Sequence, residues 1–180
     1  MKRISSHTEI LPIAEEHLPA LAELAGVIWR RHYPGIISHE QIDYMLGKMY
    51  ALDKLREEIL FQGICFYRLI VDGQMAGFAS IGPLDPPEVW KLHKLYLLPE
   101  LHGRGLGSRL LQHCEVEARR AGARRLQLAV NKRNVRPIAV YQRNGFAVIR
   151  SVVTDFGSGF VMDDYIMAKD LTPVDGHLAT

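Results

Sequence analysis

The chain has 180 residues, a formal net charge of +2, 48% apolar residues and 23% charged residues. These values are typical of one soluble globular domain and give no support to a strongly basic nucleic-acid-binding protein. Cys65 and Cys114 form neither a disulfide framework nor a metal-binding pattern, and their apolar neighbours predict that both are buried. No apolar run approaches the ~18 residues of a membrane span. We therefore expect one cytoplasmic domain over residues 1–180, with a loose tail over 171–180 and no metal, nucleic-acid or membrane partner.

Changes in the hydrophobic period along the chain predict the order of the elements. Helical spacing predicts helices over 19–31, 38–60, 106–118 and 136–143, the second allowing a break near Gly47 or Leu52. Alternating and β-branched runs bounded by turn residues predict strands over 64–71, 74–81, 89–98, 125–130, 146–153 and 160–167. Two helices, a β-meander and a β-α-β-α-β-β segment indicate an α/β (α+β) fold. We expect a mixed sheet of about six to seven strands and about four helices.

A glycine-rich turn between a strand and a helix is the most informative stretch. It reads His102-Gly103-Arg104-Gly105-Leu106-Gly107-Ser108. The free N–H groups and the positive dipole end of a helix N-terminus bind anions, and glycines let the backbone approach a pyrophosphate closely. A Walker A loop requires a lysine before Ser108, and the dinucleotide-binding fingerprint requires a third glycine in its place. Neither of those loops fits, although a turn that merely starts a helix stays an alternative.

Two blocks of the chain resemble the GNAT superfamily of N-acetyltransferases. The glycine turn resembles the family's acetyl-CoA motif, Gln/Arg-x-x-Gly-x-Gly/Ala, with His102 in the place of Gln or Arg. Further along, Asn134, Tyr141, Gly145 and Phe146 reproduce the family's Asn-x6-Tyr-x3-Gly-Phe pattern. Both blocks in this order are far more specific than either alone. The resemblance covers about residues 64–168.

The resemblance implies direct transfer of an acetyl group from acetyl-CoA, as cosubstrate, to an amine. The strand before the turn would hold the pantetheine arm through its backbone, and the turn would hold the pyrophosphate. Tyr141 would protonate the departing thiolate as general acid, which suits a phenol of pKa ~10 facing a thiolate of pKa ~8.5. The residues that the resemblance assigns to acetyl-CoA are Leu95, Tyr96, Leu97, His102, Gly103, Arg104, Gly105, Leu106, Gly107, Ser108, Asn134 and Tyr141.

The motifs do not assign the general base. An alkylammonium group has a pKa of ~10.4, so about one molecule in a thousand is neutral at pH 7. The positions where many GNAT enzymes carry a glutamate hold Lys91 and Ala129 here. His93, on the strand before the glycine turn, is our candidate base because an imidazole of pKa ~6.5 can accept a proton. A packed or surface histidine is the alternative.

Two further regions carry candidate acceptor-binding residues. The stretch from Thr154 to Met167, together with the stretch from Lys94 to Glu100, resembles bacterial PaiA-type GNAT proteins, among them polyamine acetyltransferases. Within the first of these stretches, Asp163 and Asp164 offer negative charge to a polycation, although a solvated strand end explains them equally well. Between the first two helices, an aromatic segment would line an amine pocket by cation–π contact or simply pack on the sheet. The residues of that segment are Trp29, His32 and Tyr33.

A small primary amine, with a polyamine as first choice, is therefore the expected acceptor. A protein or peptide amine stays open as an alternative. So does a catalytically weak acetyl-CoA-binding regulatory module. The family resemblance is compatible with a homodimer, and no feature of the sequence decides the oligomeric state.

Overall fold

The computed structural model of the protein describes residues 7–171, which divide into two compact units. Within this range, the first unit contains residues 7–80 and 94–111, and the second contains 81–93 and 112–171. The strands are β1 (Thr8–Pro12), β2 (Cys65–Val71), β3 (Gln74–Pro83), β4 (Val89–Leu97), β5 (Arg125–Asn131), β6 (Ala147–Gly157) and β7 (Phe160–Asp170). The α-helices are α1 (Leu18–His32), α2 (His39–Met49), α3 (Leu52–Phe61), α4 (Leu106–Arg120) and α5 (Val135–Arg143).

The strands form one mixed sheet in the order β1-β2-β3-β4-β5-β7-β6. β4 and β5 are parallel, with Val89 opposite Arg125 and Leu92 opposite Leu128. A parallel pair requires a crossover connection, and α4 lies in the segment that connects these two strands. β7 runs antiparallel to both β5 and β6. The predicted mixed sheet is confirmed.

The helical region of the first unit consists of three α-helices, with a short break between the second and the third. α1 carries Pro19 in its first turn, and the Ser38 hydroxyl accepts a hydrogen bond of 3.1 Å from the Gln41 backbone N–H at the start of α2. The helix predicted over 38–60, with a break allowed near Gly47 or Leu52, is two helices, α2 and α3, separated at Tyr50 and Ala51, directly before Leu52. Tyr50 is 4% exposed and packs edge-on against Trp29, so burial of its ring accompanies the break.

β1 is an element that the sequence did not predict. It is a five-residue strand, Thr8–Pro12, with a weakly alternating burial pattern. It pairs antiparallel with β2, with Thr8 opposite Val71 and Pro12 opposite Tyr67. Its strand character depends on this pairing, because a run so short carries little periodic signal of its own.

The second unit contains the long β6–β7 hairpin and the part of α4 from residue 112 onward. Glu115 of α4 is 4% exposed, and its carboxylate accepts hydrogen bonds of 2.9 and 2.8 Å from Lys169 on β7. Leu171, the first residue of the predicted loose tail, is instead buried, and its N–H donates to the Arg124 carbonyl at 2.8 Å. The rest of that predicted tail, residues 172–180, lies outside the described residues.

The two cysteines differ in exposure. Cys114 is buried in α4, as predicted, and burial raises the pKa of its thiol. Cys65 is exposed, contrary to the prediction, because it is the first residue of β2 and precedes the buried part of that strand. Among the residues that the structure describes, no helix is long and apolar enough to cross a membrane.

Candidate active site

The glycine turn leads from the end of β4, through a short 3₁₀ turn at Pro99–Leu101, into α4. Gly103 and Gly105 have φ values of 77° and 76°, in the left-handed region that favours glycine. A Cβ at either position would meet no atom within 4 Å, so backbone conformation rather than lack of space calls for glycine. The first turn of an α-helix leaves its N–H groups without intrahelical acceptors. The turn therefore presents an open backbone surface suited to the pyrophosphate anion.

The side chain of His102 connects this turn to the end of β4. Its Nε2 lies 3.3 Å from the Leu97 carbonyl oxygen, a hydrogen bond when Nε2 carries the proton. Its backbone N–H donates to the Pro99 carbonyl at 3.1 Å. His102 is the position at which the chain departs from the Gln/Arg pattern. Here the imidazole helps to hold the entrance of the turn against its own strand.

Gly77 of β3 is a site residue that sequence reasoning missed. A Cβ there would lie 2.7 Å from the Tyr96 carbonyl oxygen and 3.1 Å from Leu97 Cγ, so β3 and β4 approach too closely for any side chain. Nearby, the Leu98 N–H donates to the Ala76 carbonyl at 2.9 Å. Gly77 thereby sets the backbone path of the segment predicted to hold pantetheine. A glycine inside an apolar strand was the available signal.

The aromatic residues predicted for acceptor binding lie largely within a packed cluster of the first unit. The Trp29 ring centroid is 4.4 Å from that of Tyr33 and 5.8 Å from that of Tyr96, and the Tyr33 and Tyr96 hydroxyls are 3.2 Å apart. Trp29 is 1% exposed and Tyr33 is 6% exposed, whereas His32 is half-buried. These contacts give the two buried rings a packing role. Acceptor binding at all three residues stays a prediction.

The second motif block folds around α5. Asn134 caps this helix, and its N–H donates to the Asn131 carbonyl at 2.9 Å. Tyr141 is 9% exposed, its ring packs edge-on against Phe146 at 5.9 Å, and its carbonyl accepts a 3.0 Å hydrogen bond from the Phe146 N–H. Asn134 and Tyr141 are seven residues apart, close to two helical turns, so they lie on the same side of α5.

The two acidic candidates on β7 have different surroundings. Asp163 is exposed, and its carboxylate lies 2.5 Å from the Lys132 ammonium. Asp164 is 8% exposed, and its Oδ1 is buried without a hydrogen bond from any residue that the structure describes. Burial, with a smaller contribution from the charge of Asp163, raises the pKa of Asp164 to about 6. Neighbours along a strand point to opposite faces, so the two carboxylates lie on opposite faces of β7, and acceptor binding by either of them stays a prediction.

Comparison with known proteins identifies the family. Residues 25–146 match the model of the acetyltransferase (GNAT) family. The chain belongs to the GNAT family. The predicted family and activity are confirmed, and this GNAT protein is an N-acetyltransferase that uses acetyl-CoA.

Relatives of this GNAT protein cover nearly all of its length. It is 31% identical to spermidine N(1)-acetyltransferase from Thermoplasma acidophilum over 159 residues, which are 86% of this chain and 95% of that protein. The crystal structure of PaiA N-acetyltransferase from T. acidophilum in complex with coenzyme A matches with a TM-score of 0.76 and 28% identity, covering 91% of this chain and 99% of that chain. A GCN5-related N-acetyltransferase structure from Rhodopseudomonas palustris matches with a TM-score of 0.78 and 19% identity, covering 95% and 100%, and shows the fold alone.

Proposed function

We propose that this GNAT protein transfers the acetyl group of acetyl-CoA to a primary amine of a polyamine. The observation that carries the proposal is its 31% identity to a spermidine N(1)-acetyltransferase across 86% of the chain. Spermidine and spermine are thus the first acceptors to test.

In this proposal the first unit binds the cosubstrate. Backbone groups of Leu95, Tyr96 and Leu97 on β4 hold the pantetheine arm, and residues 102–108 hold the pyrophosphate. The left-handed glycines and the N-terminus of α4 favour this role, because oriented N–H groups at a helix start attract phosphate oxygens. The hydrogen bond between His102 and the Leu97 carbonyl keeps these two segments in register.

Asn134 and Tyr141 have the roles in the reaction that the family resemblance implies for them. Asn134 binds the pantetheine portion, and the Tyr141 hydroxyl donates its proton to the thiolate that leaves. The burial of the Tyr141 ring and its contact with Phe146 restrict the directions in which the hydroxyl can point. A proton donor that is already fixed in place lowers the entropic cost of the proton transfer. General acid catalysis typically raises a reaction rate by roughly 10²–10⁴-fold.

The test is acetyl-CoA-dependent thiol release with spermidine, spermine, a monoamine, free lysine and an N-terminal peptide as acceptors. Tyr141→Phe removes only the hydroxyl, and Tyr44→Phe on α2 is the matched control for loss of a phenol elsewhere. We expect turnover to be fastest with a polyamine. Tyr141→Phe should lower kcat at least tenfold while acetyl-CoA binding is retained, and Tyr44→Phe should match wild type.

Two results would contradict the proposal in different ways. Faster turnover of the peptide or of lysine than of any polyamine would overturn the acceptor class while leaving the acetyl transfer intact. Equal kcat values for Tyr141→Phe and wild type, measured under conditions where chemistry limits turnover, would overturn the role of Tyr141.

A further inference from the structure

The carboxylate of Asp164 is a buried charged group whose Oδ1 the fold leaves unsatisfied. The residue is 8% exposed, and this oxygen receives no hydrogen bond from residues 7–171. Burying a carboxylate without a donor is costly, because its lost hydration is not replaced. A buried polar atom without a partner therefore points toward a ligand or a reacting group.

The strand register of the second unit shows which side chains share a face with Asp164. Asn131 of β5 lies directly opposite Asp164 of β7, and Lys91 of β4 lies opposite Gln127 of β5. Directly paired residues share a face of the sheet, and so do residues two positions apart on one strand. Asp170 shares this face but lies at the end of β7, in an exposed ion pair with Arg125. Closer to Asp164, the polar and small side chains on the face include those of Lys91, His93, Gln127, Ala129, Asn131 and Asp164 itself.

Within that set, two groups can accept a proton from an alkylammonium. Lys91 is a cation, Ala129 has no polar group, and the amides of Gln127 and Asn131 are not bases. The carboxylate of Asp164 and the imidazole of His93 remain. Asp164 is the more deeply buried of the two, because His93 is half-buried.

The charges around Asp164 leave it ionised but unusually basic for an aspartate. Burial and, to a smaller extent, the charge of Asp163 raise its pKa, Lys91 and Lys132 act in the opposite direction, and the net result is a pKa of about 6. At pH 7 most of the carboxylate is therefore charged, as a proton acceptor requires. A base whose pKa lies nearer the working pH also transfers protons more effectively than an ordinary aspartate of pKa ~3.9.

We propose that Asp164 is the general base that takes the proton from the acceptor ammonium. This proposal rests on the acetyl transfer of the proposed function and does not require a polyamine. The ammonium gives one proton to the Asp164 carboxylate, and the neutral nitrogen forms the C–N bond with the thioester carbonyl carbon. The C–S bond then breaks, the thiolate takes the Tyr141 proton, and the nitrogen's excess proton restores the tyrosine. Asp164 releases its proton to solvent, so each turnover yields one proton.

The first experiment is the pH profile of kcat/KM for wild type, Asp164→Asn, Asp164→Glu and His93→Gln, with the fastest amine of the panel. Asp170→Asn, on the same strand and exposed in an ion pair with Arg125, is the control for charge loss on β7. We expect an acidic limb near pH 6 in wild type and in Asp170→Asn. The limb should disappear in Asp164→Asn, with kcat/KM at pH 8 reduced about 100-fold, and should return in part in Asp164→Glu.

A second experiment separates proton removal from a structural role. A weakly basic amine, already neutral at the assay pH, needs no base before attack. The loss in Asp164→Asn should therefore shrink from about 100-fold with an alkylamine to less than about tenfold with such an amine. An equal loss with both amines would mean that Asp164 only supports the fold.

A third measurement does not depend on turnover. A carboxyl NMR titration, assigned by the signal missing in Asp164→Asn, reports the protonation of this group directly. We expect a midpoint near 6. A midpoint close to the ordinary aspartate value, or an acidic limb that survives in Asp164→Asn and vanishes in His93→Gln, would overturn the proposal in favour of His93. If a non-polyamine proves to be the acceptor, the polyamine proposal fails while all three tests of Asp164 still apply.

Discussion

The ammonium of Lys94 lies 2.6 Å from the carboxylate of Glu58, and both side chains are buried, at 3% and 10% exposure. The pair joins β4, just before the glycine turn, to α3. The same ammonium stands 5.2 Å from the centre of the Phe66 ring and 5.7 Å from that of Tyr50. Water is largely excluded from this pair, so each charge depends on the other for compensation.

Glu58→Gln should therefore destabilise the protein, because it removes the carboxylate that lies 2.6 Å from the buried Lys94 ammonium and compensates its charge. Removing one partner of a buried ion pair costs roughly 3–5 kcal/mol, and for a chain of this size the melting temperature should fall by about 6–15 °C. The control is Glu57→Gln, which breaks the exposed pair with Lys54 and should change the melting temperature by less than about 2 °C. Equal effects of the two substitutions in thermal unfolding would show that the buried pair is not the stronger one.

Gly77→Ala should damage both stability and acetyl-CoA binding. The new Cβ would lie 2.7 Å from the Tyr96 carbonyl oxygen, so β4 must move at the segment predicted to hold pantetheine. We expect a melting temperature lower by about 5 °C or more and an acetyl-CoA Kd raised about tenfold, measured by calorimetry.

Gly47→Ala is the matched control for that substitution. Gly47 lies within α2, and a Cβ there meets no atom within 4 Å. Alanine should be neutral or stabilising by up to about 1 kcal/mol, with unchanged acetyl-CoA affinity. If both variants behave alike, the close approach of β3 and β4 does not govern the cosubstrate segment.

His102→Ala should weaken acetyl-CoA binding without unfolding the protein. It removes the contact between the imidazole and the Leu97 carbonyl, so the glycine turn loses its link to β4. We expect Kd to rise about three- to tenfold, on the scale of one hydrogen bond. His102→Gln offers an amide donor to the same carbonyl and should retain most of the affinity. A larger loss in the glutamine variant than in the alanine variant would contradict this role.

Asp164→Asn should stabilise the fold at neutral pH even as it impairs catalysis. The pKa of Asp164 is about 6 in the folded protein against a usual 3.8, so the folded state binds this proton more tightly than the unfolded chain. The stability of wild type therefore decreases as pH rises from about 4 to about 6. Asparagine removes this cost, and the melting temperature at pH 7 should rise by about 2–4 °C.

The difference should vanish at low pH, where the aspartate is protonated in both states. Asp170→Asn should change the stability at neutral pH in the opposite direction, because the ion pair with Arg125 lowers the pKa of Asp170 and stabilises its charged form. That variant should be slightly less stable than wild type at pH 7 and equal to it in acid. A destabilised Asp164→Asn at neutral pH would mean that its carboxylate is better compensated than its buried Oδ1 indicates.

Most of the fold after residue 64 could be predicted because hydrophobic period and turn residues agree there. The Asp72-Gly73 turn, for example, does separate β2 from β3, and Asp72 adopts a φ of 49°. β1 could not be predicted, since its strand character comes from pairing with β2. The break between α2 and α3 was predicted near Leu52, and the structure places it at Tyr50 and Ala51, where the buried ring of Tyr50 accompanies it.

Some residues of the candidate site could likewise be predicted from local sequence motifs, whereas others required knowledge of tertiary contacts. The glycine turn and the Asn134–Tyr141 spacing are contiguous motifs, so their position in the chain was sufficient to find them. A glycine inside an apolar strand indicates that another group approaches Gly77 closely, but only the structure identifies that group as the Tyr96 carbonyl of the neighbouring strand. The different surroundings of Asp163 and Asp164 required the register of β7 against β5, because adjacent residues look identical until the buried face is known.

The contrast between the two cysteines has a practical use. Cys114 is buried and its thiol is held protonated, whereas Cys65 is exposed at the start of β2. A thiol-reactive dye should consequently label the native protein at one position, next to the edge where β1 joins the sheet. Cys65 also contributes one background equivalent per chain when released coenzyme is counted with a thiol reagent. A Cys65→Ser version removes that background, and the labelled wild type supplies a fluorescent reporter on the first unit.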